Sequence, residues 1–407
     1  MRFSIKQLMM AVALIAILLV FWRTEGCGTR SSAIESLSFS PDGARLLVSR
    51  IDARDARRPG KAYLADVART VSILDAIAGD VSFVLCQDVR KGNQGPAFRF
   101  WRFGATTASA HFDSSGTRIV VQEFGGGRVS LYSADRSGPP RVLVGAGADS
   151  LRLAVSQSAP LVAVCAGGHV AVVDLEDDRV LCRITPAWPA YFVFASFSPD
   201  GTLLAASSGM GVDAWDARTG AHLHQVIAEN VEPPELAIAF RDADTILVGS
   251  GAGLAEYTLA GQSRVLPPYA DACAGIAVSR DGGRVAAARY DDVDIYGEKR
   301  DAIVRIPTPQ TATAIALSPD GTWLAIGDST GRVALYDAVS GRQSWTVSAP
   351  GRYRPPWTAP AAALVVWMLI CGGLAMRSLR RARLLRANSA NQAVNVHSAA
   401  AALPASP

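Results

Sequence analysis

Histidine is scarce in this chain, with five in 407 residues: His111, His169, His222, His224 and His397. Catalysis by general acid–base or nucleophilic chemistry needs a constellation of groups, and none emerges. His222 and His224 fall on one face of a single strand, where two ligands could meet a metal, but no third ligand is visible. Cysteine is sparse too, with six residues, which excludes a small disulfide-stapled scaffold. Cys165 and Cys182 read as the second and fourth strands of one unit, which are not neighbours. Cys371 lies in an apolar run and Cys27 in a linker. Charged residues make up only 19% and hydrophobic residues 49%. Disorder needs the reverse balance, so most of the chain is folded. Acidic clusters at Glu176, Asp177 and Asp178, and at Asp291, Asp292 and Asp294, lack the ordered oxygen spacing of a calcium loop and read as turns. No cofactor or metal is implied.

Two apolar runs bracket the chain. Leu8 to Trp22 is uncharged over 15 residues, which as a helix reaches roughly 22 Å, short of the roughly 30 Å hydrocarbon core. Gln7 and the flanking Lys6 and Arg23 can snorkel to lengthen it. It reads as an uncleaved anchor. A cleaved signal peptide with Arg2 and Lys6 as its basic start is the alternative, but no small-x-small cleavage site follows. A lipoprotein site at Cys27 is disfavoured by Thr24 and Glu25. Trp357 to Met376 is uncharged over 20 residues, enough to span a bilayer. Arg377, Arg380, Arg381, Arg383 and Arg386 follow it, a cytoplasmic retention signal that argues against a buried core helix. The implied organisation is a cytoplasmic start (1–7), a first span (8–22), a linker (23–30), a main domain (31–349), a Pro-rich linker (350–356), a second span (357–376) and a basic, then disordered, cytoplasmic tail (377–407). Both chain ends are then cytoplasmic and the main domain lies on the far side of a cytoplasmic membrane.

The main domain is a repeat. An alternating apolar strand, a Ser-Pro-Asp-Gly turn and a second strand recur at 38–48 (SFSPDGARLLV), 196–206 (SFSPDGTLLAA) and 316–326 (ALSPDGTWLAI). Weaker copies start at His111, Ala154, Ala239 and Ala277. A third strand often ends in an apolar or aromatic residue and Asp, as at Leu74–Asp75, Trp215–Asp216 and Tyr336–Asp337, followed by Gly79, Gly220 and Gly341. Pro suits the first central turn position, Asp bonds nearby backbone, and Gly accepts positive φ. The pattern resembles the WD-repeat and related bacterial propeller families over about 320 of the 407 residues. The opening MRFSIKQLMM also resembles a type of short bacterial N-terminal membrane segment. The Gly-His pair that opens many WD repeats is missing at the expected places, and only Trp215–Asp216 is a literal Trp-Asp.

Turn spacing sets the blade number. The turns recur every 38 to 44 residues, except for 73 between Gly43 and Gly116. That gap holds one blade plus two insertions, at 51–69 and 87–106. The expectation is an all-β, seven-bladed β-propeller with four-stranded blades, flanked by two transmembrane helices; six or eight blades are the alternatives. The strands run from the axis outward, so both insertions and both chain ends fall on the face opposite the Ser-Pro-Asp-Gly turns. The first insertion reads as a solvated loop. The second interleaves Arg90, Lys91, Arg99 and Arg102 with Phe98, Phe100, Trp101 and Phe103. That mix suits a protein partner or membrane headgroups. It also suits nucleic acid, which the topology argues against. The plain alternative is that the aromatics plug the junction of the first two blades.

Propellers of this resemblance serve as interaction or scaffold modules. An enzyme or small-ligand binder using the central tunnel is the alternative, and would need polar groups from several blades to converge at one end of the axis. The innermost strands are instead rich in small residues: Ala195, Ala237, Ala239, Ala274, Ala277, Ala314 and Ala316. The net charge of +4 conceals a division. Residues 1–30 carry +3 and residues 350–407 carry +7, so the main domain carries −6.

Overall fold

The structure is a computed structural model. It describes residues 30–348 except 59–60, 92–109, 123–127, 136, 145–150, 167, 186–191, 209–210, 228–236, 268–271, 274, 290 and 300–301. Both apolar runs and the arginine cluster that follows the second lie outside these residues. Among the described residues, no helix is long and apolar enough to cross a membrane.

Twenty-eight strands form seven four-stranded antiparallel sheets. Blade 1 is β1 (Arg30–Phe39), β2 (Arg45–Arg58), β3 (Lys61–Asp75) and β4 (Val81–Lys91). Blade 2 is β5 (Ala110–Phe112), β6 (Arg118–Gln122), β7 (Val129–Ser133) and β8 (Arg141–Val144). Blade 3 is β9 (Leu151–Val155), β10 (Leu161–Ala166), β11 (His169–Asp174) and β12 (Arg179–Ile184). Blade 4 is β13 (Phe192–Phe197), β14 (Leu203–Ser208), β15 (Gly211–Asp216) and β16 (His222–Ile227). Blade 5 is β17 (Ala237–Phe240), β18 (Thr245–Ser250), β19 (Gly253–Thr258) and β20 (Ser263–Val265). Blade 6 is β21 (Gly275–Val278), β22 (Val285–Ala288), β23 (Asp292–Tyr296) and β24 (Ala302–Pro307). Blade 7 is β25 (Ala312–Leu317), β26 (Trp323–Asp328), β27 (Arg332–Asp337) and β28 (Gln343–Ser348). This is a seven-bladed propeller, as the repeat count predicts.

In every blade the strands pair in chain order. First strands neighbour one another around the axis, with β25 beside β1 and β1 beside β5. The ring therefore closes. Among the described residues no strand is exchanged between blades 7 and 1, because each sheet is built from four consecutive strands. Closure rests on side chains alone. Ile34, Leu37, Val48 and Leu74 of blade 1 form one buried cluster with Ala314, Ala325, Val333 and Leu335 of blade 7. Trp345 packs against that cluster, and its Nε1 donates to the Ala76 carbonyl at 3.1 Å.

Six further clusters fill the six other junctions between blades. Second and third strands have a blade on each side, so their side chains are mostly buried on both faces. Val285–Ala288 is buried at all four positions. Outer strands face water on one side, and β28 alternates between exposed and half-buried positions. Each burial of a Leu, Ile or Val side chain contributes about 1.5–3 kcal/mol, so the ring is held by the sum of seven similar seams.

The Ser-Pro-Asp-Gly turns join first to second strands. In blade 4, Ser198 Oγ donates to Asp200 at 2.5 Å and accepts from Leu203 N at 2.9 Å, while Thr202 N donates to Asp200 at 3.0 Å. Blades 1, 6 and 7 repeat this arrangement at Asp42, Asp281 and Asp320. Hydrogen bonds from serine and backbone to these four carboxylates hold them below the usual aspartate range. Gly43 and Gly201 sit at φ +71° and +75°. The Asp that closes the third strand works the same way. Asp216 accepts from Arg218 N and Thr219 N, and Asp337 from Val339 N and Ser340 N.

Candidate functional site

The two ends of the strand ring differ. One end carries the connections between second and third strands, the chain's entry at Arg30 and its exit at Ser348. Blade 1 is extended at that end. Its β2 and β3 run for 14 and 15 residues, against at most six for any strand of blades 2 to 7. They pair continuously out to Arg58↔Lys61, with one bulge at Arg54/Asp55. Residues 51–58 and 61–69 therefore form the two arms of a β-ribbon and not the solvated loop expected. The charged residues mask the strand signal, but Pro59–Gly60 between the two arms is a turn-forming pair. β1 extends with the ribbon, pairing Arg30 with Arg54, and β4 with β3, pairing Lys91 with Asp66 and Arg90 with Val67.

Arg90 and Lys91 thus sit at the extended end of the outer strand of blade 1. Phe98, Arg99, Phe100, Trp101, Arg102 and Phe103 lie outside the described residues, as do Arg377, Arg380, Arg381, Arg383 and Arg386. At the root of the ribbon two paired networks face the neighbouring blades. Arg69 holds Glu35 at 2.5 and 2.9 Å and donates to the Gln122 carbonyl of blade 2 at 2.8 Å. Arg50 pairs with Asp52 at 2.8 Å, and Ser32 donates to Asp52 at 2.6 Å. These groups fix the ribbon on the ring.

The opposite end carries the Ser-Pro-Asp-Gly turns and surrounds a small axial cavity of ≈ 70 Å³. Ser38 and Pro41 of blade 1, His111 of blade 2, Gln157 of blade 3, Arg280 of blade 6 and Pro319 of blade 7 line it. Asp113 also lines it, but its carboxylate is engaged by Arg118 Nε and Ser115 Oγ, both at 2.8 Å. His111 is crowded by protein, and desolvation lowers its pKa to about 4, so its imidazole is neutral at physiological pH. Polar groups from four blades thus converge at one end of the axis. Aligning the repeats and asking which turn positions depart from Pro or Ala would have revealed them.

The other candidate groups have structural partners. His222 Nε2 meets Asp213 at 3.0 Å and packs edge-on against Trp215, and no interaction joins it to His224. His169 contacts Arg183 at 3.2 Å. Cys165 and Cys182 are free, separated by β11, and Cys273 is free and buried. Burial pushes the Cys165 and Cys273 thiols up to about 12, which leaves them protonated and unreactive. Among the described residues no group of three His, Cys, Asp or Glu side chains is placed to hold a metal.

Glu176, Asp177 and Asp178 fall in the turn between β11 and β12, as the sequence predicts. Asp292 opens β23 and is not in a turn, and Asp294 does not belong to a turn either. It is fully buried in β23 between Arg289 and Arg305, each at 2.8 Å. A second buried pair, Arg241 with Glu256, gave no sequence signal; Arg241 occupies the turn-serine position in blade 5 and also donates to the Gly282 carbonyl of blade 6.

Residues 305–337 match the family model described as WD40: WD domain, G-beta repeat. Over these residues the chain is similar to a WD repeat. The match starts in β24, the outer strand of blade 6, and ends with β27 of blade 7, so this repeat straddles two blades. No curated protein matches the chain.

Proposed function

We propose that the protein is a membrane-tethered interaction module. The propeller sits on the exocytoplasmic side of a cytoplasmic membrane, and the elongated end of blade 1 is its partner-binding surface. The observation that carries this reading is the asymmetry of the ring. Six blades have short strands, while blade 1 alone projects a ribbon and a lengthened outer strand from the end where the chain enters and leaves. A packed ring does not need that projection, since six blades close their seams without one. Aromatic and arginine side chains anchor protein interfaces, and the 87–106 segment, which begins in β4 beside the ribbon, concentrates both in its sequence. The WD-repeat match favours a scaffold role. The reading invokes no cofactor, no metal and no nucleic acid.

The test is crosslinking in intact cells with a photoreactive residue at position 90. The expected result is one specific protein adduct, lost on deleting residues 92–106 while the propeller still unfolds at its normal temperature. An unchanged adduct in the deletion variant refutes the site.

A further inference from the structure

The axial cavity holds departures from the repeat that the fold itself does not require. Two residues before the turn, the register places Ser38 opposite Leu47, Ala154 opposite Ala163, Ser196 opposite Ala205 and Ala277 opposite Ala286. Ala239 and Ala316 hold the same place in blades 5 and 7. Only blade 2 has a large side chain there, His111, opposite Val120. At the second turn position blades 1, 4 and 7 carry Pro41, Pro199 and Pro319, whereas blades 3 and 6 carry Gln157 and Arg280. Six blades build their seams with Ser or Ala where blade 2 has an imidazole, and three build the turn with Pro where blade 6 has a guanidinium. Those three departures all border one cavity.

Among the described residues, the chemistry at that place is donor-rich and carries one uncommitted positive charge. Arg280 is exposed at the cavity, and no side-chain partner is found for it, for Gln157 or for His111 among the described residues. The one lining carboxylate, Asp113, is neutralised by Arg118. Asp242, at the equivalent turn position in blade 5, accepts from its own turn at Asp244 N and does not line the cavity. Pockets for drug-sized ligands run to about 300–1,000 Å³. A cavity of ≈ 70 Å³ therefore admits only a few heavy atoms, or the tip of something larger.

We propose that the axial cavity binds a single carboxylate group, with Arg280 as its charged anchor and Gln157, His111 and Ser38 as neutral hydrogen-bonding partners. Guanidinium and carboxylate match in charge and in planar geometry. The carboxylate has two possible sources: a small free acid, or an Asp or Glu side chain of a partner protein. The second source rests on the interaction reading; the first does not. The cavity opens at the end of the ring away from the chain's entry and exit, so a ligand there does not compete with the blade 1 surface.

The experiment is calorimetric titration of the detergent-solubilised full chain at neutral pH. One arm uses acetate, and the other a capped hexapeptide with one Glu, with its Gln counterpart as control. Binding of acetate, or of the Glu but not the Gln peptide, supports the site and separates the two sources. Arg280→Gln should weaken that binding roughly tenfold or more, about the loss of one charge-assisted pair. His111→Ser, which installs the residue blade 1 already carries, should weaken it by a smaller factor. Should Arg280→Gln fail to fold, Gln157→Ala takes its place. No binding of either probe, or equal binding by the folded variants, overturns the proposal. Neither result bears on the crosslink from position 90, so the two readings fail separately.

Discussion

Gly327 of β26 is buried and faces Ile34 of β1 across the seam that closes the ring. A Cβ on Gly327 would lie 2.5 Å from Ile34 Cγ2 and 2.6 Å from its Cβ. Ile34 is only 1% exposed and packed in the closing cluster, so it cannot swing away. Gly327→Ala therefore overpacks the seam and costs about 1–3 kcal/mol. Ile34→Ala leaves a cavity and costs about 2–5 kcal/mol. The two changes act on one contact, because the new methyl enters the space the lost side chain vacates. The double variant should be less destabilised than the sum by about 1–3 kcal/mol. The assay is urea unfolding of the solubilised full chain followed by tryptophan fluorescence; Trp345 sits at this seam and reports on it directly. Additivity within about 0.5 kcal/mol would refute closure by direct packing of blade 7 on blade 1.

Three further predictions concern stability. Asp200→Ala removes the acceptor that organises the blade 4 turn, and should lower the free energy of unfolding by about 1 kcal/mol. Because Asp200 titrates below its unfolded value of 3.8, its contribution is present above that pH and is lost as pH falls through the folded pKa; wild type and Asp200→Ala should converge in strong acid, and a constant gap contradicts this. His111 behaves differently. It stays neutral when folded down to about pH 4, while the unfolded chain protonates it near 6.5, so stability should fall as pH drops from 6.5 to 4, and His111→Ser should flatten that slope in pH-dependent melts. Glu256→Ala leaves Arg241 buried without its carboxylate and should cost about 3–5 kcal/mol in urea unfolding; a loss under 1 kcal/mol would mean water reaches the guanidinium.

The ring was legible in the sequence because its punctuation is local. Ser-Pro-Asp-Gly turns and strand-ending Asp residues act within a few residues of themselves, and the structure uses them as turn acceptors at Asp42, Asp200, Asp216 and Asp337. Counting them yields seven blades. The ribbon of blade 1 was not legible. Its strands are charged, with Arg54, Asp55, Arg57 and Arg58 in sequence, and they are set by register with β1 and β4, not by an apolar alternation. Asp294 misleads for a similar reason. Beside Asp291 and Asp292 it reads as one more turn acid, yet the pairing of β23 with its neighbours places it between Arg289, just past β22, and Arg305 of β24. The axial cavity needs the ring itself, since Ser38, His111, Gln157 and Arg280 meet only once blades 1, 2, 3 and 6 are arranged around one axis.

The tether is the claim on which the rest of the functional account depends. It is tested most directly by reporters active only in the cytoplasm, fused after Gly351 and, separately, after Pro407. The account predicts a silent reporter after Gly351 and an active one after Pro407, because on the proposed topology the 357–376 run and its arginines would separate the two points across the membrane. Activity at both positions would place the propeller in the cytoplasm and contradict the account.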